Sequence, residues 1–211
     1  MMQSGQCENR ILLRGRLEAP PRTSHINHGV LYYVLPMEVA RLSGAVDHLN
    51  VIATADQLDR VRREPGSPLA VAGEVRTFNN RSGVGSRLVV SVFARQLTDL
   101  AGEEDENRLE LSGVLCKPPA LRMTPLGRTI CDMILAVNRR YGRADYLPCI
   151  AWGSLAHQCG DKGVGDRLHL LGRLQSRTYT KDLGDRTQER TAFEVSVMSL
   201  LEEAEMPDPV F

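Results

Sequence analysis

Hydrophobic and polar residues alternate in short segments along the chain, a period that indicates half-buried β-strands. Leu109 and Leu111 alternate in this way with Glu110 and Ser112. Further strand-like segments follow, and we predict strands over residues 130–138, 145–152, 167–179 and 191–200, with a brief helical turn over 153–158. The second half of the chain is therefore predicted to hold five strands, with one short helix between strands three and four.

The first half of the chain repeats this pattern. Glu8-Asn9-Arg10 recurs as Glu106-Asn107-Arg108, 98 positions later. The same spacing relates Gly15 to Gly113, Arg41 to Arg139, Gly44 to Gly142 and Asp47 to Asp145. The spacing becomes 99 between Gly73 and Gly172, and we match Val90-Ser91-Val92 to Val195-Ser196-Val197 at a spacing of 105. So many matches in nearly one register predict a tandem duplication.

Five strands with one helix after the third is the order of elements in an OB barrel. Gly113 and Gly172 interrupt predicted strands, as expected where the strands of a small closed barrel bend. We therefore predict an all-β chain of two tandem OB-fold five-stranded barrels, although periodicity alone also allows another small β-barrel or a sandwich. The predicted boundaries are a first OB-fold domain at 1–100, an acidic linker at 101–107, a second OB-fold domain at 108–201 and an acidic C-terminal tail at 202–211.

Charge is distributed unevenly, which changes the meaning of a formal net charge of zero. Residues 1–100 carry 12 basic and 9 acidic residues. Residues 101–211 carry 14 basic and 17 acidic residues, but eight of those acids lie in the predicted linker and tail. Both predicted barrels are therefore mildly basic, which permits a nucleic-acid partner without indicating one.

Several classes of protein are disfavoured by the sequence. No stretch approaches the roughly 20 apolar residues that cross a membrane, and the first ten residues lack the apolar core of a signal peptide, so we expect a cytoplasmic location. The five cysteines form no CxxC pair and are interpreted as reduced core thiols. The histidines are scattered, and no glycine-rich loop has the G-x-G-x-x-G frame, so neither an enzyme nor a cofactor is predicted.

Four segments of the second repeat carry a more specific signal, residues 107–113, 118–141, 145–153 and 172–179. The second of these joins a strand end, an R-x-T-P-x-G turn and an amphipathic strand that ends in A-V-N-R. In these segments the chain resembles the bacterial single-stranded DNA-binding protein family. The first repeat lacks the R-x-T-P motif and is similar to the family mainly through the duplication. The resemblance implies a single-stranded DNA-binding protein of the bacterial nucleoid that acts in DNA replication, recombination or repair.

The resemblance also implies a platform of aromatic rings beside a basic groove. The positions that match the family's DNA-stacking aromatics are Trp152, Tyr146, Tyr179 and, nearby, Tyr141. Flat rings bind any base, at about 1–3 kcal/mol per stacked base. The cations interleaved with these rings, expected to contact phosphates, are Arg139, Arg140, Arg143, Arg173, Arg177 and Lys181. A position for Trp152 inside the core is the alternative.

The first repeat lacks these rings, since its matching positions hold Ser43, His48, Thr54 and Asn80. We therefore predict a division of labour, in which the second repeat grips bases and the first contributes backbone contacts or assembly. Phe78 and Tyr33 are candidates for a partial substitute.

Partners are implied by the resemblance as well. Family members place four OB domains around one DNA strand, so a chain with two barrels is expected to form a homodimer. Their acidic tails end in Pro and Phe and dock on replication and repair proteins, and Asp208, Pro209 and Phe211 are similar to that tip. An ordinary polar terminus is the alternative for the tail.

Three functions remain open at the level of sequence. The first is sequence-independent binding of single-stranded DNA. The second is a primosome-like accessory role that acts mainly through protein contacts. The third is an RNA-binding or structural role, which the near-neutral charge does not exclude.

Overall fold

The computed structural model describes residues 9–80, 86–102, 104–139, 142–182, 184 and 187–201. These residues form twelve strands and two short helices. The first unit consists of β1 (Asn9–Leu17), β2 (Arg22–Asn27), β3 (Val30–Ala40), β4 (Val46–Thr54), α1 (Ala55–Leu58), β5 (Pro68–Asn79) and β6 (Leu88–Asp99). The second unit consists of β7 (Glu106–Leu115), β8 (Ala120–Met123), β9 (Thr129–Asn138), β10 (Ala144–Trp152), α2 (Ser154–Gly160), β11 (Arg167–Asp182) and β12 (Thr187–Leu201).

Each unit closes into a five-stranded barrel. In the first unit, β1 pairs with β3 and β5, β3 with β4, β5 with β6, and β4 closes on β6 through a parallel pair. The second unit repeats this order with β7, β9, β10, β12 and β11. The predicted pair of tandem OB-fold barrels, each with a helix between its third and fourth barrel strands, is confirmed. The short strands β2 and β8 pair only with β3 and β9, outside the closed barrels.

Glycines mark the point where β5 and β11 bend. The register of β11 against β12 shifts between Leu171 and Gly172, and β5 shifts against β6 in the same way between Ala72 and Gly73. A Cβ atom on Gly172 would lie 2.5 Å from the carbonyl oxygen of Ser196. Only glycine allows the backbones to approach this closely, which explains the recurrence of glycine at these two positions.

The register of the last barrel strand corrects one match made from the sequence. Val92 pairs with Val51 in the first barrel, and Val195 pairs with Cys149 in the second. The repeat spacing in this strand is therefore 103, and the spacing of 105 is wrong. A slip of two residues leaves every side chain on its own face, so the hydrophobic pattern alone does not detect it.

The inward faces of the strands form the hydrophobic core, which includes Leu13, Leu35, Leu111, Leu135 and Leu147. Cys131, Cys149 and Cys159 are buried thiols in this core. Burial raises the pKa of the Cys159 thiol to about 11, which favours its neutral form. Within the described residues, no helix is long and apolar enough to cross a membrane.

The two units join through their first strands. β1 and β7 pair antiparallel, with Ile11 opposite Leu109. These two residues occupy the same place in the repeat, so an approximate two-fold axis passes between them. The strand pair makes one continuous sheet of both barrels.

Candidate nucleic-acid interface

The outer face of β10 presents two of the predicted aromatic residues. Tyr146 and Trp152 are 53% and 40% exposed, whereas the intervening Leu147, Cys149 and Ala151 point into the barrel and are at most 2% exposed. The alternative position for Trp152, sealed in the core, is therefore excluded. Alternation along one strand places both rings on the same side of the sheet.

The place of Trp152 is fixed by pairing on one side and a turn on the other. It is the last residue of β10 and lies opposite Ile130 of β9. Gly153 follows with a φ of 59°, a positive value that suits glycine, and is the N-cap residue of α2. The Gly153 N–H donates to the carbonyl oxygen of Thr129 at 3.0 Å. The backbone on both sides of Trp152 is therefore held by hydrogen bonds to β9.

A shallow groove lies on the same face. Its volume is about 280 Å³, and Ile134, Pro148 and Lys117 are among the residues that line it. Pro148 falls between Tyr146 and Trp152 along β10. The groove therefore adds apolar surface to this face, and its charged lining residues are Lys117, Asp132 and Glu194.

Tyr179 lies on β11, in the part of the long β11–β12 hairpin beyond the barrel. Its ring is 39% exposed, and the guanidinium carbon of Arg177 lies 5.7 Å from the ring centroid. This distance is within the range of a cation–π contact. The guanidinium lies over one face of the Tyr179 ring, so a ring and a cation occur together at this place.

The predicted phosphate-contacting cations fall into different environments. Arg143 is exposed, and Arg177 contacts Tyr179. The Nε atom of Arg173 is buried and finds no hydrogen-bond partner within the described part of the chain. Arg139 is engaged in contacts within the protein. Its Nε donates to Asp145 at 2.6 Å, and its terminal nitrogen donates to the carbonyl oxygen of Thr77 at 2.9 Å. This contact gives Arg139 a structural role.

Several predicted residues lie outside the described parts of the chain. Tyr141, Arg140 and the tail residues Asp208, Pro209 and Phe211 all fall there. Lys181 belongs to β11, but its side chain is also outside the described set. Their predicted roles stay predictions.

The first unit uses the matching positions differently. Thr54, in the place of Trp152, caps α1, and its hydroxyl oxygen accepts from the Gln57 N–H at 3.3 Å. His48, in the place of Tyr146, has its Nδ1 3.2 Å from a carboxylate oxygen of Glu18. Of the two proposed substitutes, Phe78 is 55% exposed, whereas Tyr33 packs against the core.

The structure also reveals two buried aspartates whose importance the sequence does not show. Asp145 is fully buried and accepts hydrogen bonds from Arg139, from Arg76 of the first unit and from the backbone N–H of Thr77. Burial on its own would raise the pKa of the Asp145 carboxyl, but these three donors outweigh it and hold the pKa below its ordinary value. The repeat spacing relating Arg41 to Arg139 and Asp47 to Asp145 is the only sequence signal of this arrangement.

Two barrels in one chain, with aromatic rings and arginines on an outer face, define a tandem OB-fold protein with a surface of the nucleic-acid-binding type. Comparison with known proteins gives the same class. Residues 106–201 match the Single-strand binding protein family. The second unit is similar to this family along nearly its whole length, as its sequence motifs predict.

Individual relatives are also single-stranded DNA-binding proteins. The chain is 37% identical over 84 residues to the single-stranded DNA-binding protein of Thermus thermophilus, and 36% identical over 87 residues to single-stranded DNA-binding protein A of Bacillus subtilis. Each alignment covers 38% of this chain. The chain spans about 32% of the length of the Thermus relative and about 51% of the Bacillus one.

Solved structures extend the similarity to both units. The wild-type single-stranded DNA-binding protein of Thermus aquaticus is 25% identical, with a TM-score of 0.74 over 98% of both chains. A deletion mutant of the same protein gives a TM-score of 0.75 over 98% of this chain and 99% of that one. The tandem arrangement of barrels is therefore shared along nearly the full length.

Proposed function

We propose that this protein binds single-stranded DNA without sequence preference, by stacking bases on Trp152, Tyr146 and Tyr179. The observation that carries the proposal is the exposure of the single tryptophan, 40% exposed at the end of β10 in the unit that matches the family. A π face accepts every base, so binding of this kind tolerates any sequence.

Phosphate contacts in the proposal come from the arginines around these rings. Arg177 already lies beside Tyr179, and Arg143 is exposed directly before β10. Arg173 has a buried Nε without a hydrogen-bond partner in the described chain, so a phosphate oxygen near the same guanidinium would supply a compensating charge. Arg140 and Lys181 complete the predicted set.

Fluorescence of the sole tryptophan tests the proposal directly. Oligo-dT, oligo-rU and duplex DNA are titrated separately into the full-length protein at two salt concentrations. Strong quenching by oligo-dT, weak quenching by duplex, and an affinity that falls as salt rises support the proposal. Absence of quenching by oligo-dT contradicts it. Equal or stronger quenching by oligo-rU would assign the site to RNA.

Assembly and cellular role follow from the same proposal. We propose a homodimer, which supplies four OB barrels for one strand and acts in DNA replication, recombination or repair. A mass of two chains by light scattering supports the dimer, and a mass of one chain at working concentration contradicts it. Deleting the last four residues, including Asp208, Pro209 and Phe211, should leave DNA binding intact if the tail serves protein partners.

A further inference from the structure

A stripe of rings crosses the outer face of the first barrel, away from the positions that match the family. His25 of β2 stacks on Tyr32 of β3, with ring centroids 4.9 Å apart and an interplanar angle of 8°. Tyr32 in turn contacts Phe93 of β6, at 5.7 Å and 43°. The guanidinium carbon of Arg95 lies 5.3 Å from the centroid of Phe93. We call these four residues the first-unit stripe.

The first-unit stripe lies on the barrel face that corresponds to the Trp152 face of the second unit. Tyr32 pairs with Thr54, and the matching pair in the second unit is Ile130 with Trp152. Each barrel therefore carries a flat side chain at this cross-strand pair, on β3 in the first barrel and on β10 in the second. The approximate two-fold axis between the units relates these two cross-strand pairs, so the two rings lie at equivalent places on their barrels.

The stripe is specific to the first unit. Strand pairing places Arg122, Ile130, Ser196 and Met198 at the corresponding positions of the second unit. Conversely, the first unit has Thr54 and His48 where the second has Trp152 and Tyr146. The two barrels therefore present complementary sets of rings at different positions on equivalent faces.

We propose that the first-unit stripe is a second stacking site for unpaired bases, occupied by the same DNA strand that crosses the second unit. The inference rests on the proposed function and deepens it, because it assigns base contacts to a barrel that lacks the rings expected from the family. His25 is the exposed end of the stripe, and its Nδ1 lies 3.0 Å from the Ser24 hydroxyl, which orients the ring.

Single-stranded DNA fits this surface better than a purely apolar partner does. The rings are partly exposed, and Arg95 is exposed at the opposite end of the stripe from His25. Arg95 also pairs with Glu74 at 3.1 Å, and Glu74 contacts Arg76, which pairs with Asp145 as well. Rings that end in an arginine offer a base a π face and a nearby phosphate a cation.

Photocrosslinking with an oligo-dT that contains 5-iodouracil tests the inference on the full-length protein. Trypsin releases the first-unit rings in peptides 23–41 and 88–95, and Tyr146 and Trp152 together in peptide 144–162. The inference predicts crosslinks in 144–162 and in at least one of the two first-unit peptides. Crosslinks confined to 144–162 overturn the inference and leave the proposed function standing. Crosslinks in none of these peptides contradict both.

Two variants separate stacking from a structural role of the stripe. H25A and Y32A should each lower the yield of the first-unit crosslink by about fivefold or more, with the 144–162 crosslink retained. I26A is the matched control, because Ile26 follows His25 on the same strand and is 71% exposed. Unchanged first-unit crosslinking in both variants overturns the inference. A changed mass of Y32A by light scattering, together with no first-unit crosslink in the wild type, would identify the stripe as an interface between chains.

Discussion

The carboxylate of Asp47, in the first unit, accepts a hydrogen bond at 2.8 Å from the backbone N–H of Ser176, in the second unit. The approximate two-fold axis repeats this contact, because Asp145 of the second unit accepts from the backbone N–H of Thr77 in the first. Each aspartate also holds an arginine of its own unit, Asp47 with Arg41 and Asp145 with Arg139. Two matched contacts thus fasten the barrels together.

These contacts also position the proposed site. Asp145 directly precedes Tyr146, and the Tyr146 N–H donates to the Thr77 hydroxyl at 3.0 Å. The corresponding bond in the other half runs from the His48 N–H to the Ser176 hydroxyl, at 2.8 Å. The start of β10 is therefore anchored to the neighbouring barrel, and with it the first ring of the stacking face.

Replacing either aspartate by alanine should destabilise the protein. D145A leaves the partly buried Arg139 without its carboxylate, and loss of one partner of a buried ion pair costs up to about 3–5 kcal/mol. D47A should cost a similar amount, because Asp47 is also fully buried. Urea unfolding measures both free energies. D161A, at an exposed aspartate, is the control and should remain close to wild type.

The stabilisation by Asp145 should depend on pH. Since its pKa is lowered in the folded protein, the folded state binds this proton less tightly than the unfolded state. The contribution is therefore complete above the ordinary carboxyl pKa of about 3.9 and is lost as the pH falls through the lower folded-state value. The difference in unfolding free energy between wild type and D145N should be constant from about pH 7 to pH 5 and shrink below about pH 4. A difference that stays constant into strong acid would refute this role.

The barrels could be predicted from the sequence because the alternation of side chains and the repeat both report burial. The contacts of Asp47 and Asp145 could not, since their partners Ser176 and Thr77 lie more than 60 residues away and donate partly through the backbone. A charged residue within a strand usually indicates a solvent-facing position, and here it marks a buried one.

The direction in which each side chain points decides which rings of the first unit lie on its outer surface. Tyr32 and Tyr33 are neighbours of the same type, but Tyr33 packs against the core while Tyr32 stacks on His25. The irregular pairing of β2 between Thr23 and His25 brings His25 opposite Tyr32. Such a one-residue shift in register changes which side chains meet, and the sequence pattern carries no signal for it.

Gly172 should not tolerate a side chain. A methyl group there would lie 2.5 Å from the Ser196 carbonyl oxygen, so G172A must displace backbone and should cost at least about 1–3 kcal/mol. Thermal or urea unfolding measures the loss. The matched control is G163A, because the atom nearest to a Cβ at Gly163 is a carboxylate oxygen 3.9 Å away. Equal stability of the two variants would contradict the close approach at the bend.

The central claim is that the exposed indole of Trp152 stacks on an unpaired base. Equilibrium binding of a labelled oligo-dT to wild type, W152F, W152A and the first-unit control F78A tests it most directly. W152A should lose about 5- to 150-fold in affinity, the equivalent of about 1–3 kcal/mol for one stacked base, while W152F should retain most of the binding and F78A should lose less than W152A. An affinity of folded W152A equal to that of the wild type would contradict the account.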